Sequence, residues 1–270
     1  MISVTNLTTY MFCPRKLYLL NVLEFEEPPK EAVLLGSVKH NVFDKINKAD
    51  ELIVTSILKS TQQQEIEIIY RKKYSEILRN EIKQNKKIID RLKLSSKELF
   101  EEIWPLFLDE AQARSYTVSQ FIEEHNLFGE ELWNALTPKI LTEIKLVSKE
   151  LELIGVIDRI EIRDQKYIPI ELKTGVTPKS NVWPEHKIQI GAYGMLIESQ
   201  LNKSVSHGFI DYTSDKEKRL VYINPFLKVE INKLIREVKK LLESNKLPPI
   251  IENKNKCKSC SLKEECYKMA

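Results

Sequence analysis

The chain has 270 residues, 42% of them hydrophobic and 30% charged, with a formal net charge of +3. That length can bury a sizeable core without disulfides or metal, and the balance excludes disordered, collagen-like and low-complexity classes. No apolar run reaches the roughly 18 residues that span a bilayer, and MISVTNLTTYMFCPRK lacks the basic, apolar and small-residue order of a secretory signal. The expectation is a cytoplasmic globule with no membrane partner.

The first 47 residues read as helical. Pro14 suits the first turn of a helix through RKLYLLNVL, EEPPKE breaks it, and EAVLLGSVKHNVFDKI resumes a helical period. Gly36, His40 and Asp44 then fall at i, i+4 and i+8 on one helix face. Residues 48–137 carry almost no strand signal. Apolar positions from Ile66 to Leu92 mark one amphipathic helix, Ser95 with Glu98 reads as a capping box, and Pro105 is expected to kink or end the helix that follows. Between 71 and 97 there are ten Lys/Arg against three Asp/Glu. Such a run is either a solvated face or a contact surface for phosphates.

Beyond Pro138 the period changes. KILTEIKLVS, LELIGVIDRIEI and KYIPIELKT alternate and are rich in Ile and Val, with Asp164-Gln165 as a tight turn. Pro184 opens a helix through QIGAY, SVSHGFIDY and KRLVYIN form a hairpin, and Pro225 opens a further helix. The fold class is α/β, with a core over 1–47 and 138–270 and a helical insertion over 48–137.

The chemistry concentrates on two adjacent strands. A period of two puts Val156, Asp158, Ile160 and Ile162 on one face, so Asp158 stands among apolar neighbours and needs a partner or a metal. In PIELKTG, Glu171 and Lys173 share a face. Two carboxylates converging across a hairpin suit Mg²⁺ or Mn²⁺, with a lysine placed to orient water. A plain cross-strand salt bridge is the other reading of the same residues.

GSVKH, GVID, IELKTG and QIGAY, in this order, resemble the RecB-type branch of the PD-(D/E)xK nucleases. By that resemblance His40, Asp158 and Glu171 are ligands of Mg²⁺ or Mn²⁺, Lys173 is the catalytic lysine, and Gln189 and Tyr193 position DNA. Cys257, Cys260 and Cys266 follow a C-x2-C-x5-C pattern, with Cys13 near the other end. In a reducing compartment thiols serve as metal ligands or stay free, and four can hold zinc or an iron-sulfur cluster; Cys13 also reads as a small buried hydrophobe. The start CPRKLYL together with the C-terminal triplet is similar to the CRISPR-associated iron-sulfur exonuclease family, which implies a 4Fe-4S cluster clasping the two ends of the core. The resemblance further implies a metal-dependent exonuclease acting on single-stranded DNA ends in CRISPR spacer acquisition, with the CRISPR integrase complex as partner. Its neighbours are a RecB-like repair nuclease outside CRISPR and a non-catalytic iron-sulfur DNA-binding scaffold. The helical insertion is longer than the family's compact forms carry.

Overall fold

The N-terminal residues pair with a strand from the middle of the chain before they coil: β1 (Ile2–Ser3) lies parallel to a strand beginning at Leu153. The computed structural model describes residues 1–269 and all their side chains except that of Gln63. It divides into two compact units, residues 1–28 with 143–270, and residues 29–142. Ser3 caps α1 (Val4–Phe12) by accepting from the Asn6 N–H, and Cys13 ends that helix while its sulfur caps α2 (Pro14–Asn21), where Pro14 occupies the first turn.

The second unit is helical. It begins with α3 (Glu31–Thr55), so the helix carrying Gly36, His40 and Asp44 lies here, whereas the sequence reading grouped residues up to 47 with the core. The single amphipathic helix expected from Ile66 to Leu92 is two helices, α4 (Gln63–Gln84) and α5 (Lys86–Arg91). They separate at Asn85, whose side-chain amide donates to the Glu81 carbonyl and carboxylate and so competes with the helical ladder. Ser95 caps α6 (Ser96–His125) through the Glu98 N–H, as the sequence predicts. Pro105 does not end this 30-residue helix. Pro105 and Glu101 are both exposed, so the carbonyl deprived of its donor faces water, while Leu99, Ile103 and Phe107 hold the opposite face in the core. The unit closes with α7 (Gly129–Ala135). At its centre Asp50 accepts from Tyr70 and from both the Nε and Nη2 of Arg114, joining α3, α4 and α6.

The rest of the first unit is built on a mixed six-stranded sheet. Strand β2 (Lys139–Ser148) pairs with β3 (Leu153–Arg163), which pairs antiparallel with β4 (Lys166–Lys173). Asp164 and Gln165 both adopt positive φ, the two-residue hairpin turn that the sequence predicts. Helix α8 (Pro184–Leu201) crosses over to β5 (His207–Tyr212), parallel to β4, and β6 (Glu217–Tyr222) returns antiparallel. Then follow α9 (Pro225–Leu242), α10 (Lys254–Ser259) and α11 (Lys263–Lys268). The strand order is β1-β3-β4-β5-β6, with β2 on β3. The central stretch of α8, Ile188–Ile197, is buried between sheet and α9, and a Cβ on Gly191 would stand 2.6 Å from Ile231. That close approach is why the helix carries glycine there. Among the described residues no helix is long and apolar enough to cross a membrane.

Candidate active site and cysteine site

The core's chemistry gathers where β3, β4 and α8 meet. The expected apolar setting of Asp158 needs correction: Val156 is exposed, while the buried positions run Leu153, Gly155 and Ile157 and then shift to Ile160. The alternation slips by one residue at Asp158, between the stretch of β3 paired with β1 from Leu153 and the stretch paired with β4 from Arg159. Asp158 sits at that changeover, half-buried, and its Oδ2 accepts from the Leu172 N–H at 2.9 Å.

Glu171, Lys173 and Gln189 form a closed knot. Lys173 Nζ donates to Glu171 Oε1 at 2.7 Å and to Gln189 Oε1 at 2.9 Å, and Gln189 Nε2 donates to Glu171 Oε1 at 2.7 Å. Gln189 Nε2 also lies 2.9 Å from the Tyr193 hydroxyl, one turn along α8. Tyr193 is buried and its ring lies 3.1 Å from where a Cβ of Gly155 would stand, so the glycine of GVID makes room for the tyrosine of QIGAY. The structure thus joins Asp158, Glu171, Lys173, Gln189 and Tyr193 in one place. His40 is on α3 of the other unit.

Electrostatics mark Glu171 as unusual. Burial and the neighbouring Asp158 carboxylate push its pKa up to about 7, although Lys173 opposes them. Its second oxygen, Oε2, is buried with no hydrogen-bond donor in bonding geometry. A buried carboxylate oxygen without a donor suits a cation. Two residues that sequence reasoning missed adjoin the site. Glu143 of β2 brings a carboxylate oxygen within 4.8 Å of one of Asp158; its signal was an acidic residue within the alternating run KILTEIK. His186 opens α8 one turn before Gln189; burial and the Lys173 charge push its pKa down to about 3, and its Nδ1 is 3.0 Å from the Tyr212 hydroxyl. Lys173, His186 and Gln189 line an open cleft together with Thr9, Phe12 and Lys16. The donor set fits a divalent cation held by oxygen ligands.

The second constellation joins the termini of the core. Cys13, Cys257, Cys260 and Cys266, all free thiols, line one pocket with Phe12, Leu19, Ile250 and Ile251 as its apolar wall. Cys13 is buried, which pushes its thiol pKa up. Arg15, Lys16, Lys256 and Lys263 surround the pocket, and Arg15 Nε donates to Cys266 Sγ at 3.2 Å. Four thiols converging among cations fit a thiolate-bound metal centre, whose negative charge such surroundings offset.

A family model for the PD-(D/E)XK nuclease superfamily matches residues 1–267. A protein of Leptospira interrogans, named CRISPR-associated exonuclease Cas4/endonuclease Cas1 fusion, is 34% identical over 123 residues, 44% of this chain and 23% of that protein. A fusion of the same name from Myxococcus xanthus is 24% identical over 46% of this chain and 22% of its own length. An Arabidopsis thaliana protein named DNA replication ATP-dependent helicase/nuclease JHS1 is 23% identical over 38% of this chain and 8% of its own. The matched region therefore spans under a quarter of each curated relative. With the family model covering all but the last few residues and Asp158, Glu171 and Lys173 drawn into one site, the chain belongs to the PD-(D/E)XK nuclease superfamily.

Proposed function

We propose that this chain is a metal-dependent exonuclease that hydrolyses phosphodiester bonds at single-stranded DNA ends. The observation that carries the reading is the buried Glu171, tied through Oε1 to Lys173 and Gln189 while Oε2 meets no donor, beside the carboxylate of Asp158. Asp158 and Glu171 are the proposed carboxylate ligands of Mg²⁺ or Mn²⁺, joined by Glu143, and the GSVKH motif proposes His40 as a further ligand. A divalent cation held there would offset the negative charge that develops on the phosphate and would lower the pKa of a bound water. Lys173 presents its ammonium to the attacking water or the phosphate. Gln189 fixes the lysine's direction, and Tyr193 braces Gln189. Gln189 and Tyr193 set the position of DNA relative to these groups.

The four-cysteine pocket is proposed to hold a 4Fe-4S cluster that ties α2 to the C-terminal helices. The names of the Leptospira and Myxococcus fusions support a role in CRISPR spacer acquisition beside the integrase. A replication or repair nuclease is the second reading, favoured by the name of the Arabidopsis relative. Digestion of end-labelled single-stranded DNA with Mn²⁺ tests the activity. Asp158→Ala and Glu171→Ala are expected to abolish it in a folded protein, and near wild-type rates in either variant would remove the site. Genomic neighbourhood separates the two biological roles.

A further inference from the structure

In the helical unit, the end of α4, the start of α5 and the first turns of α6 enclose an open groove of about 680 Å³. Its walls carry Arg79, Lys83, Lys86 and Lys97 around Phe100. The groove is as large as clefts that hold sizeable ligands, and its surroundings are strongly basic, with ten Lys/Arg against three Asp/Glu over residues 71–97. Two of its cations are locally paired, Lys86 with Asp90 at 2.5 Å and Lys97 with Glu101 at 3.8 Å, each across one exposed helical turn. Such pairs are worth little and exchange readily for a phosphate.

The aromatic content sets this surface apart from a merely soluble helix face. Phe100 and Trp104, one turn apart on α6, stack with ring centroids 5.7 Å apart and planes 13° from parallel. The Arg79 guanidinium lies over Phe100, 4.3 Å from the ring centroid. Guanidinium, phenyl and indole thus stack on one another as an aromatic ledge beside a row of lysines. An acidic peptide would complement the lysines and leave the ledge unused. A single nucleic-acid strand uses both, with phosphates on the cations and unpaired bases on the π-faces.

We propose that this groove is a second binding site for single-stranded DNA, separate from the catalytic groups and built by the helical unit alone. It rests on the reading of the chain as an enzyme of single-stranded DNA ends. The test measures anisotropy of a fluorescent oligo-dT strand with the full-length protein, in EDTA so that nothing is cut, over a series of salt concentrations. Changing Arg79, Lys83 and Lys97 together to Gln, all exposed and with folding verified by the melting curve, is expected to flatten the log-log salt slope by about 2, at roughly 0.7 per phosphate contact. Phe100→Leu, with folding verified by its melting curve, is expected to weaken binding roughly five- to a hundredfold through loss of stacking. Unchanged affinity and slope in the triple variant overturns the proposal. Failure of the wild-type chain to cut DNA with Mn²⁺ would instead overturn only the nuclease reading, because the binding comparison is read without cleavage.

Discussion

At the residue scale the site turns on two groups with opposite demands. Lys173 gives two of its donors to Glu171 and Gln189 and stays partly exposed to the cleft, so it is placed to serve substrate rather than to hold metal. Lys173→Ala is expected to bind Mn²⁺ and still lose about 10²–10⁴ in turnover, the usual worth of a positioned proton-transfer group; isothermal titration with Mn²⁺ beside the cleavage assay separates the two effects. Glu171 gives a pH signature. Its pKa stands near 7 in the folded protein against an ordinary 4.5, so the folded state holds the extra proton between those values. Without divalent cation, stability from this group is present below about pH 4.5 and is lost as pH rises through 7. Melting curves of metal-free protein between pH 5 and 8 are expected to show that fall, Mn²⁺ to reverse it most at the alkaline end, and Glu171→Gln to remove it. A melting temperature that climbs through the same window because of Glu171 would contradict its environment.

Among the elements, α6 and its neighbours answer for the helical unit's stability. Arg114 and Asp50 are both largely buried, and Tyr70 donates to Asp50 at 2.8 Å. Arg114→Met leaves the Asp50 charge buried beside a single hydroxyl, and a loss of about 3–5 kcal/mol in denaturant unfolding is expected. Pro105 acts in the other direction. It removes one helical hydrogen bond at an exposed position where no tertiary contact demands it, so Pro105→Ala is expected to raise stability by about 1–3 kcal/mol. Helix α6 also shows why Pro105 does not end it: a proline ends a helix by local cost, and the buried stripe from Leu99 to Val118 outweighs that cost.

For the whole molecule, the cysteine pocket links segments about 250 residues apart in sequence. Arg15 reinforces it, donating through Nη1 to the Pro248 carbonyl at 2.7 Å and through Nη2 to those of Cys266 and Met269. A cluster bound there, as proposed, would close most of the chain into a loop. Cys13→Ala or Cys266→Ala is expected to lose iron and the brown colour and to lower the melting temperature, roughly 2–4 °C for each kcal/mol lost. Full iron content in the Cys13 variant would place the fourth ligand elsewhere.

What the sequence determined by itself is what depends on near neighbours and on spacing. The hairpin at Asp164-Gln165, the helix starts at Pro14, Ser95, Pro184 and Pro225, and the shared face of Glu171 and Lys173 all follow from local turn, cap and period rules. Asp158, Glu171, Lys173, Gln189 and Tyr193 were singled out as a set by the resemblance of four ordered motifs to RecB-type nucleases, not by turn, cap and period rules, and the structure brings the five side chains together. Beyond the two hairpins, only the tertiary structure decided which strands adjoin. Pairing of β2 with β3 brought Glu143 to the side of Asp158, and packing of α8 on β4 set His186 against Lys173. It also decided that Asn85 divides a helix whose apolar period runs on unbroken, and that Phe100 meets Arg79 across two helices. Period and propensity report on one element at a time, whereas burial, a shifted pKa and a carboxylate without a donor arise only where several elements displace water together.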